Sequence, residues 1–365
     1  MNFCWNLSQR VFFILSLLVA ATIYHAEATA AQLALTWTDN STNEIGFKVE
    51  RKTEVSSIYT QVATVGLNVT SYTDSSLTTG TTYCYRVRAY NTAGDSGYSN
   101  EACGTARGPS LVSAIAPVSR SVQVGNTATA YALLLNYGTA TALGCSLSPL
   151  SSLPAAFFFQ ALNCATYLPL AASNTPVDIA ANGSGCFIFA LTPSSPIAPT
   201  DVTFNFDCTN SAPAPITPGV NTFLFSASTT PTPDLLAVAA TTTGGGIVDI
   251  PGPTGSNFIA LATVNVGAGG IITAEANTGN VSLPVTLTIC QTDPNTGACI
   301  NPSTPGPSAT LTLDAGGVAT LTVIMQGSGT IPFDPAVNRV VINFHDGSTI
   351  TGPVRGRTSV AVRTQ

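Results

Sequence analysis

Leu35-Thr-Trp-Thr-Asp-Asn-Ser-Thr-Asn-Glu-Ile-Gly-Phe-Lys-Val-Glu-Arg51 and Leu77-Thr-Thr-Gly-Thr-Thr-Tyr-Cys-Tyr-Arg-Val-Arg-Ala-Tyr-Asn-Thr-Ala-Gly94 carry the pattern that decides the fold of this chain. Phe47, Val49 and Arg51 alternate with Lys48, Glu50 and Lys52. Tyr83, Tyr85, Val87 and Ala89 alternate with Cys84, Arg86 and Arg88. A period of two places one set on a buried face and the other in water, which is the signature of strands. Gly80 supplies a turn, and a Tyr just after such a turn, here Tyr83, can return its hydroxyl to the backbone as a tyrosine corner. Trp37 reads as the central aromatic of the core, with truncation to Ala costing roughly 3–5 kcal/mol.

Trp37, Leu77, Tyr83 and the alternating Tyr85, Val87 and Ala89 resemble a fibronectin type III domain, and the likeness spans residues 33–106. The resemblance implies a β-sandwich used for spacing and adhesion, with Trp37, Leu77 and Tyr83 in its core. Members of that family begin with a strand of about ten residues ahead of the Trp-bearing strand. Here an export signal ends almost where that strand starts, so the resemblance implies an open edge on Leu33–Trp37, unless the Ala-rich stretch before Leu33 substitutes for it.

Residues 1–30 read as a signal peptide. Arg10 closes a weakly basic start, Val11 to Tyr24 is a short apolar run, and Ala28-Thr29-Ala30 fits a cleavage site. Ala26-Glu27-Ala28 is a second candidate site, and an uncleaved anchor is the alternative. The mature chain then starts at Ala31, with no further stretch of about eighteen apolar residues that would span a membrane. Nine cysteines become eight when Cys4 leaves, and an even number in an exported chain argues for disulfides. Cys84 and Cys103 fall on neighbouring strands. Cys290 and Cys299 flank the hairpin tip Gln-Thr-Asp-Pro-Asn-Thr-Gly-Ala. Cys145, Cys164, Cys186 and Cys208 allow three connectivities. Cys145–Cys208 with Cys164–Cys186 is favoured, because Cys145 opens one strand and Cys208 closes a later one. Zinc is the competing use of four cysteines, but no Cys-x-x-Cys pair exists.

Between Arg120 and Arg339 there is no Lys or Arg, and Glu275 is the sole Glu. The region is nevertheless rich in Val, Leu, Ile and Phe, in short runs bounded by Gly, Pro, Asn or Ser, such as Thr127–Leu135, Val202–Phe206 and Arg339–Phe344. Many short strands with frequent turns mean an all-β sandwich or barrel. Ser228-Thr-Thr-Pro-Thr-Pro-Asp234 punctuates the region. The expected organisation is a signal peptide at 1–30, a fibronectin type III domain at 31–107, and sandwiches at 110–230 and 235–365. Thr129–Gly138 and Ile259–Gly267 share an apolar strand, an Asn and a Gly turn. Val118–Gly125 and Pro332–Arg339 resemble immunoglobulin-like domains that recur in exported bacterial proteins, which implies two such units and a bacterial source.

Candidate chemistry is sparse. Gly94-Asp95-Ser96-Gly97 looks like a protease nucleophile, yet the mature chain keeps only His345, two domains away. Gly183-Ser184-Gly185 reads as a turn. Glycoside hydrolysis needs paired carboxylates; Glu50 and Glu54 read as a solvated strand face, and Asp201 and Asp207 make no obvious pair. Asp293-Pro-Asn-Thr-Gly297 lacks the later Glu of a calcium loop. An acidic chain without a basic stripe disfavours nucleic acid. Arg355, Arg357 and Arg363 read as the wet rim of a last strand, and no Arg-Gly-Asp motif is present. Of Phe157-Phe158-Phe159, at least one ring must face outward. No catalytic, cofactor or metal residue is assigned, and no cofactor is expected. The expected function is a non-enzymatic exported module, extracellular, periplasmic or on the cell surface. It would serve adhesion, spacing or protein interaction with an unknown protein or glycan. The alternative is a carbohydrate-binding accessory of a polysaccharide-degrading system, which expects exposed coplanar aromatics.

Overall fold

The computed structural model describes residues 31–365, so the segment read as a signal peptide, its candidate cleavage sites and Cys4 lie outside the described residues. Every regular element among the described residues is a strand, and three separate apolar cores gather them. The chain is all-β, a tandem of sandwiches.

The first sandwich holds β1 (Ala31–Thr36), β2 (Gly46–Thr53), β3 (Thr60–Gly66), β4 (Ser71–Leu77), β5 (Thr82–Asn91), β6 (Gly94–Asp95) and β7 (Ala102–Thr105). One sheet is β1 against β4 only; the other runs β3-β2-β5, with β6 and β7 both on β5. Leu77, Tyr83, Tyr85, Phe47 and Val49 are buried between them. Gly80 turns the chain at φ 83°, and the Thr78 N–H donates to the Tyr83 hydroxyl at 3.2 Å. Trp37 is only part-buried, packed against Phe47 at 5.7 Å. Two strands cannot cover a wider facing sheet, so Trp37 removes less area from water than a central core aromatic would.

The second sandwich holds β8 (Leu111–Ala116), β9 (Ser119–Gln123), β10 (Ala128–Asn136), β11 (Ala142–Pro149), β12 (Ala155–Leu162), β13 (Val177–Ile179), β14 (Ser184–Pro193), β15 (Ile197–Asp207) and β16 (Thr222–Ser228). Its sheets run β12-β14-β10-β8 and β13-β11-β15-β16-β9. Phe187, Phe189, Phe204, Phe206, Phe223 and Phe225 fill the space between, with Phe189 and Phe204 centroids 4.8 Å apart. Each such ring buries a large apolar area, which compensates for a domain with almost no ion pairs.

The third sandwich holds β17 (Leu235–Thr241), β18 (Ile247–Ile250), β19 (Ser256–Asn265), β20 (Gly270–Asn277), β21 (Val285–Thr292), β22 (Cys299–Gly306), β23 (Ser308–Leu313), β24 (Val318–Gly327), β25 (Arg339–Asp346) and β26 (Val354–Thr364). Its sheets run β17-β19-β24-β21-β22 and β18-β26-β25-β20-β23. Apart from the added edge strand β22, this is the strand order of the second sandwich. In both, the last strand pairs in parallel with an early one, β16 with β9 and β26 with β18.

One residue explains why both repeats close alike. Asn136 and Asn265 are buried at the ends of β10 and β19. The Asn136 Nδ2 donates to the carbonyls of Ala140, Ile179 and Ala180, while its Oδ1 accepts the N–H of Ser110 and Gly138. Asn265 does the same with Ala268, Leu313 and Asp314, and with Asp234 and Gly267. A single amide thus satisfies loop groups that would otherwise be buried without partners.

The sulfur pairs are Cys84–Cys103, Cys145–Cys208, Cys164–Cys186 and Cys290–Cys299.

Candidate interaction surface

The loop after β12 holds the one aromatic among the described non-Gly residues with positive φ. The Asn163 Oδ1 accepts the N–H of Ala165 and Thr166, and the Tyr167 N–H donates to the Asn163 carbonyl. After β21, the Asp293 Oδ1 accepts from Asn295 and Thr296, and the Gly297 N–H donates to the Asp293 carbonyl. The two loops share one hydrogen-bond pattern but differ in the residue that closes it. The third sandwich places Gly297 at φ 71°, where glycine belongs, and the second places Tyr167 at φ 57°. A bulky side chain in the left-handed region costs about 1–2 kcal/mol. The ring is not buried in return, because Tyr167 is 65% exposed.

The ring instead faces a groove. Cys164–Cys186 ties the loop to β14. Tyr131, on the outer face of β10, meets Tyr167 edge-on, with centroids 6.4 Å apart and planes at 73°. Tyr131 stands opposite Ala116 of β8, and Leu133 stands opposite Ala114 on one side and Cys186 on the other. Those six residues line a groove of about 540 Å³. Phe158, the outward ring of the Phe triplet, is 42% exposed on the same sheet; Phe157 and Phe159 pack inward on Phe189 and Phe187. No charged side chain lines the groove.

The first sandwich bears a different surface. Glu50 is not on a solvated face: it is buried, and its carboxylate takes Arg86 at 2.7 Å, Arg88 at 2.9 Å and the Tyr98 hydroxyl at 3.1 Å. Burial works to raise its pKa, but these donors hold it below the usual carboxylate value. The Arg86 guanidinium sits between two rings, 3.9 Å from Tyr59 and 3.6 Å from Tyr98. Glu54, in contrast, is exposed.

The junctions between sandwiches are polar and specific. Arg120 donates to Asp234 at 2.8 Å, and Asp234 also accepts the Ser121 N–H. Burial raises the Asp234 pKa against the pull of Arg120. Arg357 reaches Asp201 at 3.4 Å, and its backbone N–H donates to the Ser119 hydroxyl at 2.8 Å. Arg355 bonds Asp346 and the Ser226 hydroxyl. Arg355 and Arg357 are therefore not a wet rim but clamps on the preceding sandwich. Arg363 pairs with Asp249 within the third sandwich. At the first junction, the Gln32 N–H donates to the Thr139 carbonyl, the Arg107 N–H and carbonyl both bond the Thr139 hydroxyl, and Ala140 is buried in the first core.

The residues weighed for catalysis are not brought together. Asp95 is bonded to Lys48 and Arg88, and the Ser96 hydroxyl accepts the Ala89 N–H. His345 lies on β25, 3.2 Å from Glu275. Cys84, Glu101 and Cys103 are the metal-like cluster among the described residues, but the two sulfurs are bonded to each other. Asp207 lies near the Asn205 amide and not beside Asp201. Tyr131 and Tyr167 were not singled out in the sequence. The available signal was Asn163-Cys-Ala-Thr-Tyr167 laid on Asp293-Pro-Asn-Thr-Gly297, where Tyr takes the position of Gly.

The fold defines a protein of tandem β-sandwiches. The chain carries a fibronectin type III domain, matched by the model of that family over residues 21–104. The match begins ten residues ahead of the described chain and thus overlaps the segment read as a signal peptide. No curated protein matches this chain. Among solved structures, the chicken CNTN1 FN1-FN3 domains align at 12% identity, covering 92% of this chain and 96% of that one, with a TM-score of 0.21. The N-terminal eight Ig domains of Down Syndrome Cell Adhesion Molecule align at 10% identity, covering 92% of this chain and 39% of that one, with a TM-score of 0.19. No helix among the described residues is long and apolar enough to cross a membrane.

Proposed function

We propose that this chain is a non-enzymatic, exported spacer that holds a protein-binding groove at a fixed distance from its first sandwich. The modules are residues 31–107, 110–230 and 235–365. Four sulfur pairs suit an oxidising compartment, extracellular, periplasmic or at the cell surface. Polar clamps at both junctions favour a rigid array over a flexible string. The observation that carries the reading is Tyr167, kept in a backbone conformation that its counterpart gives to Gly297, with its ring open to solvent. Strain retained at an exposed aromatic points to use. An uncharged apolar floor under two tyrosines suits the centre of a protein interface, where Tyr is enriched and charge is depleted.

The test is crosslinking on intact cells with a photoreactive group at Leu135, comparing the natural chain with Tyr131→Ala and Tyr167→Gly. The reading expects one dominant protein adduct that both variants lose. Adducts unchanged in both variants refute it. Retention on a polysaccharide column that depends on the two rings would favour the glycan reading instead, although planes at 73° do not form the coplanar platform that reading expects.

A further inference from the structure

Eleven Lys or Arg residues fall within the described chain, and nine of them have a carboxylate within 4.0 Å. Arg107 is exposed. Arg339 stands alone: it is part-buried and its partners are all neutral. Its Nε and Nη2 donate to the Ser359 hydroxyl at 3.1 and 2.9 Å, Nη2 reaches the Ser359 carbonyl at 3.3 Å, and Nη1 donates to the Pro335 carbonyl at 2.8 Å. Burial alone pushes its pKa down, as expected of a cation without a counter-charge.

Arg339 lines the cleft between the second and third sandwiches, a space of about 550 Å³. Ala116 and Val118 form one wall; Leu236, Val238 and Val360 form the other. No Asp or Glu lines it. Ser359, which holds the guanidinium, donates its hydroxyl to the Gly219 carbonyl of the opposite wall at 3.0 Å. A cleft of this size at a domain junction, mostly apolar with one convergent charge, has the make-up of a small-molecule site.

We propose that this cleft binds a ligand with a carboxylate head and a hydrocarbon body. The carboxylate takes the N–H of Nη1 that Pro335 leaves open, and the chain lies along the Val and Leu walls. Charge complementarity selects the head, since the lining offers one positive group and no negative one. Charge-assisted bonds of this kind are roughly twice as strong as neutral ones. The cleft adjoins the tyrosine groove along β8, where both are lined by Ala114, Ile115 and Ala116, but its chemistry differs because Arg339 supplies a charge that the groove lacks.

The test uses the full chain with decanoate, 1-decanol and decylammonium, each below its micelle concentration, in titration calorimetry. Hydrogen exchange of Leu236–Ala239 is followed in parallel. Decanoate is expected to bind and protect that segment, with decanol and decylammonium at least tenfold weaker. Arg339→Gln keeps a donor for Ser359 but removes the charge, and should weaken decanoate at least tenfold. Val238→Glu, at a position 71% exposed, places a negative group in the cleft without disturbing the core and should have the same effect. No binding of decanoate, equal binding of decanol, or natural affinity in Val238→Glu overturns the proposal.

Discussion

Replacing Tyr167 by Gly should leave the second sandwich as stable as before while removing its binding. Three contributions decide this. Moving a left-handed residue from Tyr to Gly relieves about 1–2 kcal/mol. The greater freedom of Gly in the unfolded chain returns about 0.5–1 kcal/mol. Loss of the edge-on contact with Tyr131 costs about 0.5–1 kcal/mol more. The sum lies within about 1 kcal/mol of zero, unlike the several kcal/mol typical of removing a packed aromatic ring. The mirror change, Gly297→Ala, meets open space at its Cβ and φ 71°. It should therefore cost about 1 kcal/mol from backbone strain alone. The assay is native-state hydrogen exchange with peptic mapping, following β10 and β14 for Tyr167→Gly and β21 and β24 for Gly297→Ala. Each 1.4 kcal/mol appears as roughly a tenfold change in the opening constant. A loss above about 2 kcal/mol in Tyr167→Gly would show that the ring is a packing element, and the argument from retained strain would fall.

Asn265→Ala should destabilise the third sandwich by roughly 3 kcal/mol, since several buried loop groups lose their partner at once; urea unfolding followed by exchange of β19 checks this. Glu50 has a folded pKa below its usual 4.5, so its stabilisation is present above that value and is lost as pH falls through the depressed folded pKa. Acid unfolding of the first sandwich, read by Trp37 fluorescence, should therefore be shallower in Glu50→Gln than in the natural chain; identical acid profiles would contradict the role given to Glu50. Replacing Cys145 and Cys208 together by Ala opens a loop of 63 residues. The change should cost about 4 kcal/mol by the chain-entropy model, seen as a lower urea midpoint for β11 and β15 peptides.

The all-β character of the chain was legible because alternation and turn residues are local properties. Thr127–Leu135 reads as a strand and is one, within a residue at each end. The repeat was legible through Asn136 and Asn265, since one buried amide doing one job preserves its neighbours, including the Gly that follows two residues later. The wrong readings have a common cause. Glu50, Arg355 and Arg357 were placed by their own strand's alternation, but what covers them comes from elsewhere: Arg86, Arg88 and Tyr98 over Glu50, and Ser119, Asp201 and Ser226 over the two arginines. Charge-matching across a sheet or a domain junction leaves no periodic trace. The tyrosine groove was hidden for the same reason, because β8, β10, β14 and a loop contribute to it from distant parts of the chain.

Ala140 belongs to the second sandwich by connectivity and to the first by burial. Synthesis therefore finishes the first module late. When Ala106 has been made, the side of that core which Ala140 covers is still missing, and the thirty-four residues to Ala140 must follow. At roughly 5–20 residues per second this is a wait of about 2–7 s. During that interval the face of the leading core that Ala140 covers stays open.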